Sequence, residues 1–155
     1  SPDQTASARR REGYAAALAQ NAISFDPALV QPGLFTYRSG LDAAEKLLAL
    51  DVRPTAIFAS NDDMAAAAVA TAHRRGLDVP GDLTVCGFDN TSLATTIWPE
   101  LTTVRQPISE MAGVAVALLT EAISSRRGGR KEQRDQHMTF DHVLIHREST
   151  GAPPA

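Results

Sequence analysis

The stretch from Pro54 to Asn90, PTAIFASNDDMAAAAVATAHRRGLDVPGDLTVCGFDN, constrains what this chain can fold into more than any other. Thr55 to Ala59 is short, apolar and partly β-branched, the composition of a strand buried on both faces. Ser60-Asn61-Asp62 follows, and these residue types start helices. Met64 to Arg75 is rich in alanine with a basic end, and Gly76 is placed to close it in the left-handed conformation. Leu83 to Phe88 reads as a second buried strand and ends in Asp89-Asn90. A strand-helix-strand crossover makes the two strands parallel, with both carboxyl ends on one edge. Asn61, Asp62, Asp89 and Asn90 are therefore expected on one rim, the rim where open α/β sheets bind ligands.

The flanking sequence continues the pattern. Arg9 to Asn21 reads as a helix with Tyr14, Ala17, Leu18 and Asn21 on one face. Pro27 opens an extended segment through Leu29-Val30, and Pro32-Gly33 marks a turn. Ser39 is the expected N-cap of an amphipathic helix that carries Leu41, Ala44 and Leu48. Asn90 to Leu101 is a long loop holding the only tryptophan, Trp98, and Thr102 to Val104 is a short β-branched run. Pro107 sits at the first turn of the next helix, whose apolar stripe is Ile108, Met111, Ala112, Ala115, Leu118, Leu119 and Ala122. That stripe expects a neighbouring chain against it, or an unusual rearrangement that covers it. Ser124 to Gln136 is a polar, basic linker, Met138 to Ile145 a final strand, and Gly151 to Ala155 a frayed tail. Strands and helices alternating at this spacing predict an α/β fold with a doubly wound parallel sheet.

Composition excludes several classes of function. Fifteen Lys and Arg stand against 18 Asp and Glu, a net charge of −3, so the chain by itself is not expected to grip DNA or RNA. No apolar run reads as a membrane span, and no signal peptide is visible, although the first residue is Ser1 and the chain is expected to be a fragment. The single cysteine, Cys86, forms no internal disulfide and is read as a buried small hydrophobe, a usage that fits the cytoplasm. His142 and His146 share a strand face but lack two further ligands, so no metal site is expected. There is no phosphate loop or dinucleotide glycine pattern, and no serine or cysteine nucleophile has an evident base. Neither an enzyme nor a bound cofactor is expected.

Six motifs then fall in order along nearly the whole chain. They are Ser7-x-x-Arg10-x-x-Gly13-Tyr14, Pro54-Thr-Ala-Ile-Phe-Ala-Ser-Asn61-Asp62-x-Met64-Ala65, Gly76-Leu77-x-Val79-Pro80-x-Asp82, Val85-x-Gly87-Phe88-Asp89, Pro99-x-Leu101-Thr102-Thr103-Val104-x-Gln106-Pro107 and Arg147-Glu148-Ser149-Thr150. As a linked set they resemble the effector-binding region of lactose-repressor/galactose-repressor (LacI/GalR) type transcription regulators, a periplasmic-binding-protein-like (type I) fold. The resemblance implies two α/β subdomains with a ligand cleft between them, crossed three times by the chain. On that basis residues 1–103 are expected to form the C-terminal subdomain. Residues 104–124 would cross to a helix of the N-terminal subdomain, 125–137 would be a basic linker, 138–150 the returning strand, and 151–155 the tail. The helix-turn-helix and most of the N-terminal subdomain are not in this sequence, so operator DNA would be reached only through them.

The resemblance also implies roles for single residues. Asp89, a carboxylate at a strand's carboxyl end, would accept from two neighbouring hydroxyls of a sugar or nucleoside. Asn61 would face the cleft with a donor and an acceptor while Asp62 caps the helix. Arg10 matches the effector-contacting arginine, whose planar fork suits a carboxylate, phosphate or vicinal hydroxyl pair. Phe35 falls where an aromatic stacks on the ligand ring, and Gln106 lies at a cleft crossing. Ala65, Ala66, Ala68 and Val69, with Trp98, would form the face of a two-fold homodimer. The function implied is effector sensing and dimerisation in a cytoplasmic transcription regulator that responds to a small metabolite, most simply a sugar. The alternative is a sugar-binding protein of a transport system.

Overall fold

A computed structural model describes residues 5–127 and 137–153. The chain divides into two compact units, Ser1–Val104 with Leu144–Ala155, and Arg105–Val143. In the first unit, β1 (Ala56–Phe58) and β2 (Thr84–Cys86) pair in parallel, with Ile57 opposite Val85. The crossover between them is α3 (Asp62–Arg74). Thr102 adds a parallel bridge to Cys86 on the other edge of β2. The parallel arrangement expected from the strand-helix-strand pattern is present, in strands of three residues each. A second pair consists of β3 (Thr103–Arg105) and β4 (Val143–Ile145).

Nine of the 13 residues of α3 are buried. Its alanines pack with Leu47 and Leu48 of α2 (Tyr37–Leu48) and with Ile57, Val79, Leu83, Val85 and Leu101 to form the core. Small side chains let α3 lie close to its neighbours. At Gly40 of α2 a methyl group would come within 2.7 Å of the Met64 Cα and 2.8 Å of the Ala67 Cβ, so only glycine fits there. Beyond the end of α3, Arg75 bonds Glu45 through Nη2 at 2.6 Å and the Leu48 carbonyl through Nη1 at 3.0 Å, satisfying the open end of α2. Gly76 stands at φ +72° and closes α3 in the left-handed conformation, as its position predicts.

Several local expectations are corrected. The cap of α2 is Thr36, and Ser39 is the third helical residue of a capping box in which each side chain serves the other's backbone N–H. Pro27–Leu29 is a turn of 3₁₀ helix rather than extended chain, because Asp26 accepts the Ala28 N–H at 2.8 Å and draws the backbone round. The final strand shrinks from Met138–Ile145 to Val143–Ile145. Its work is extended by Ser149, whose carbonyl accepts the Val85 N–H at 2.8 Å and whose hydroxyl donates to the Val85 carbonyl at 2.6 Å. The first helix, α1 (Thr5–Gln20), begins earlier than expected and has no buried residue.

In the second unit, the Met111 N–H donates to the Pro107 carbonyl and sets Pro107 at the entry of α4 (Ile108–Arg127). Among the described residues nothing covers the apolar stripe: its Ile108, Met111 and Leu119 are exposed and Leu118 is half-buried. The expectation about membrane spans needs correcting too. By length and composition alone, Ile108–Ser125 qualifies as a candidate span, because alanine, glycine and scattered aliphatic residues sum to a moderately apolar 18-residue window despite Glu110 and Glu121. Core helices of soluble proteins share this length and composition but are mostly buried, and nothing in this window is. Helix α4 runs to Arg127, into the stretch read as a linker, and the basic run at Arg130, Lys131 and Arg134 lies outside the described residues.

Candidate functional site

The carboxyl end of β2 turns sharply. Asp89 has φ +104° and Asn90 φ +53°, two consecutive non-glycine residues in the left-handed half of conformational space. The Asp89 N–H donates to the Val104 carbonyl at 2.9 Å, and the turn aims the Asp89 carboxylate at Arg10 of α1, with Oδ1 3.6 Å from Nη2. The Arg10 guanidinium lies 3.9 Å from the centroid of the Phe88 ring and 5.6 Å from that of Phe35. A cation held against an aromatic face is attracted to it, the more so when desolvated, and the Arg10 side chain is only 15% exposed. Phe35 also has positive φ, +58°. Three residues expected at the site, Arg10, Phe35 and Asp89, are thus together. Phe88 completes the group, and the only sequence signal for it is its place between Gly87 and Asp89 at the strand end.

Asn61 is elsewhere. Its Oδ1 accepts the Met64 N–H at 3.0 Å, its Nδ2 donates to the Phe35 carbonyl at 3.0 Å, and the residue is 7% exposed. Asn61 is the N-cap of α3, and Asp62 is not. The expectation that Asn61 and Asp89 project side by side into one groove is therefore corrected: both ends of the Asn61 amide are used inside the chain, and its effect on the site is to anchor Phe35. Asp62 is fully buried instead, accepting from the Thr91 N–H at 2.7 Å, the Thr91 hydroxyl at 3.2 Å and the Thr103 hydroxyl at 2.6 Å. This carboxylate is the hub beneath the Asp89-Asn90 turn. Its spacing to Thr103, 41 residues, left no sequence signal.

A cavity of about 510 Å³ adjoins the cluster, lined among others by Arg10 and Tyr14 of α1, Phe35, Leu47, Phe58 and Ser60. Phe58 is 43% exposed, so β1 is not buried on both faces as expected: Ile57 belongs to the core, and Ala56, Ile57 and Phe58 all border this cavity. Aromatic walls, a guanidinium and a neighbouring carboxylate supply an apolar face, donors and acceptors, the complement of a ring bearing hydroxyl groups.

The remaining expected residues are placed as follows. Gln106 is half-buried in the second unit, where its carbonyl accepts the Ile108 N–H at 2.9 Å. Ala65, Ala68 and Val69 belong to the core, and Ala66 is 3% exposed, so the alanine face proposed for a partner chain is already packed within this one. Trp98 is 70% exposed and stacks on His73, with centroids 5.5 Å apart. Cys86 is half-buried rather than fully buried as expected; desolvation, reinforced by the Asp62 carboxylate, pushes its thiol above the ordinary pKa. Among the described residues no His, Cys, Asp and Glu cluster could hold a metal ion.

Residues 1–150 match the family model of the periplasmic binding protein-like domain. The chain belongs to that family. It is 40% identical to catabolite control protein A of Priestia megaterium over 92% of this chain and 42% of that protein. It is 39% identical to the transcriptional repressor CytR of Escherichia coli K12 over 94% of this chain and 41% of that protein. Among solved structures, the transcriptional regulator CelR in its cellobiose complex superposes with a TM-score of 0.86 at 35% identity, over 95% of this chain and 43% of that one. The Escherichia coli repressor ascG superposes with a TM-score of 0.82 at 35% identity, over 98% of this chain and 53% of that one. The chain spans about two fifths of the length of the curated relatives it matches. These relatives are LacI-type transcriptional regulators and not enzymes, and this periplasmic binding protein-like domain is one of theirs, as the motifs implied.

Proposed function

We propose that this domain senses a small hydroxyl-bearing metabolite, a sugar, on behalf of a cytoplasmic LacI-type regulator. The carrying observation is the Arg10–Asp89 pair set against Phe88 and Phe35 beside the cavity. In this reading Asp89 accepts from vicinal hydroxyls, Arg10 donates to a ring or hydroxyl oxygen, and Phe35 offers its face to the C–H side of the sugar. Gln106, next to the point where the chain enters the second unit, is proposed as a further ligand contact on the strength of the family motif. Asn61 holds Phe35 in place from beneath. The cellobiose carried by the CelR structure supports a sugar over other metabolites. Operator binding would reside in another part of the parent protein, and ligand would act through its differential affinity for two arrangements of the parent. Trp98 and His73, exposed on one face, are proposed as the centre of a homodimer contact.

In the full-length parent, Asp89→Ala should weaken effector binding about 10- to 100-fold, the loss expected for a charge-assisted hydrogen-bonding pair, and leave operator binding intact. A panel of sugars and nucleosides screened by thermal shift identifies the effector, because a ligand that binds the folded state raises the melting temperature. Equal effector affinity in Asp89→Ala and wild type would remove Asp89 from the site.

A further inference from the structure

The Asp89-Asn90 turn is held from two sides, and one of the holders is far away in sequence. Arg147, two residues beyond β4, donates from Nη2 to the Asn90 Oδ1 at 2.7 Å and from Nη1 to the Leu101 carbonyl at 2.7 Å. Its Nε stands 3.5 Å from Glu100, and the side chain is 15% exposed. The Asn90 N–H donates to the Thr103 hydroxyl at 3.3 Å, which in turn donates to the buried Asp62. The Asp89 N–H is taken by Val104, the last residue before the chain leaves the first unit, and Arg147 follows Leu144, where the chain comes back. The turn is thus bonded to both passing segments.

We infer that Arg147 is a positioning residue: its guanidinium clamps Asn90 in the left-handed conformation and so fixes the direction in which Asp89 presents its carboxylate. Two consecutive residues at positive φ are costly and persist only where the surroundings over-determine them. A planar fork reaching two acceptors at once, one on the turn and one on the main chain of residue 101, does this in a way a lysine cannot. The same bonds link the orientation of Asp89 to the β3 and β4 segments. The consequence for ligand binding rests on the sugar-sensing reading above; the clamp itself does not.

The test is amide hydrogen exchange by NMR on the full 155-residue chain. Asn90→Gly tolerates the positive φ but removes the acceptor; the Asp89 N–H should exchange about tenfold faster, while the Ser149 N–H, bonded to the Glu100 carbonyl, keeps its protection. Arg147→Ala should loosen Asp89 at least as much, and Arg147→Lys should not restore it. If Arg147→Ala fails to fold, Asn90→Gly decides alone. Unchanged protection of Asp89 in a folded variant overturns the inference, as does a parallel loss at Asp89 and Ser149, which marks a general loss of stability. In the parent protein, calorimetry with cellobiose as the probe should show about tenfold weaker binding for Asn90→Gly. A wild-type parent that ignores cellobiose while Asn90→Gly still frees the Asp89 N–H removes that sugar as the ligand and leaves the clamp standing.

Discussion

Helices α1 and α3 are both alanine-rich, and they do opposite things. Nine residues of α3 are buried; none of α1 is. Intrinsic helix propensity is similar in both, so propensity does not explain the difference. What separates them is what lies alongside. Helix α3 is flanked by two strands, by α2 through Gly40 and by the buried Asp62 network, whereas α1 has an open cavity beside it and is tied through Arg10 to Phe88 and Asp89 and through Tyr14 edge-on to Phe25, with ring centroids 6.1 Å apart. A helix of small residues becomes a core element only when neighbours close to backbone distance are supplied.

The sharpest way to probe this contrast is to remove the hub on the α3 side. Asp62→Ala strands the Thr103 hydroxyl and the Thr91 N–H and hydroxyl, and should lower stability by about 3 kcal/mol in urea unfolding. A loss below about 0.5 kcal/mol would break the picture of a high-stakes buried network. Next come two glycine-to-alanine changes of opposite sign. Gly40→Ala forces a methyl into α3 and should cost about 2 kcal/mol. Gly13→Ala in α1 meets nothing within 4 Å and should stabilise by about 0.5 to 1 kcal/mol through helix propensity alone. Equal effects at the two glycines would erase the distinction between the helices.

Much of this arrangement is readable from the chain, and the failures have physical causes. Gly76, the α3 crossover and the parallel pairing follow from local chemistry and handedness rules that need no tertiary knowledge. The choice between Asn61 and Asp62 as cap does not, because both side chains cap equally well; the outcome was decided by the distant Phe35 carbonyl and Thr103 hydroxyl. The run Ala65-Ala66-Ala67-Ala68 carries no periodicity, so it cannot show which face is inward, and its small-residue surface suits a partner chain as well as the core in which it lies. Arg10 and Asp89 stand in the linked motifs and Phe35 at a position the family resemblance gives to an aromatic, but their convergence depends on positive φ at Phe35 and Asp89, which Asp tolerates and a Phe does not announce.

The smallest expected effect concerns Cys86. Its thiol pKa is raised in the folded chain, so above the ordinary value of 9.0 the unfolded chain releases the proton first and gains stability relative to the folded one. Stability should therefore be unaffected by this group below about pH 8 and decline as pH rises through 9 and beyond. Cys86→Ala should flatten that alkaline decline in urea titrations at successive pH values.

The amide of Asn61 joins two regions that have little else in common. By gripping the Phe35 carbonyl while it starts α3, it lets an exposed loop deliver an aromatic ring with the steadiness of the core. Leu29 to Gly33 of the same loop line the cavity, so substitutions there reshape its wall while the Phe35 carbonyl stays on the same amide. Ligand preference in relatives could change by editing this loop while its last residue stays tethered.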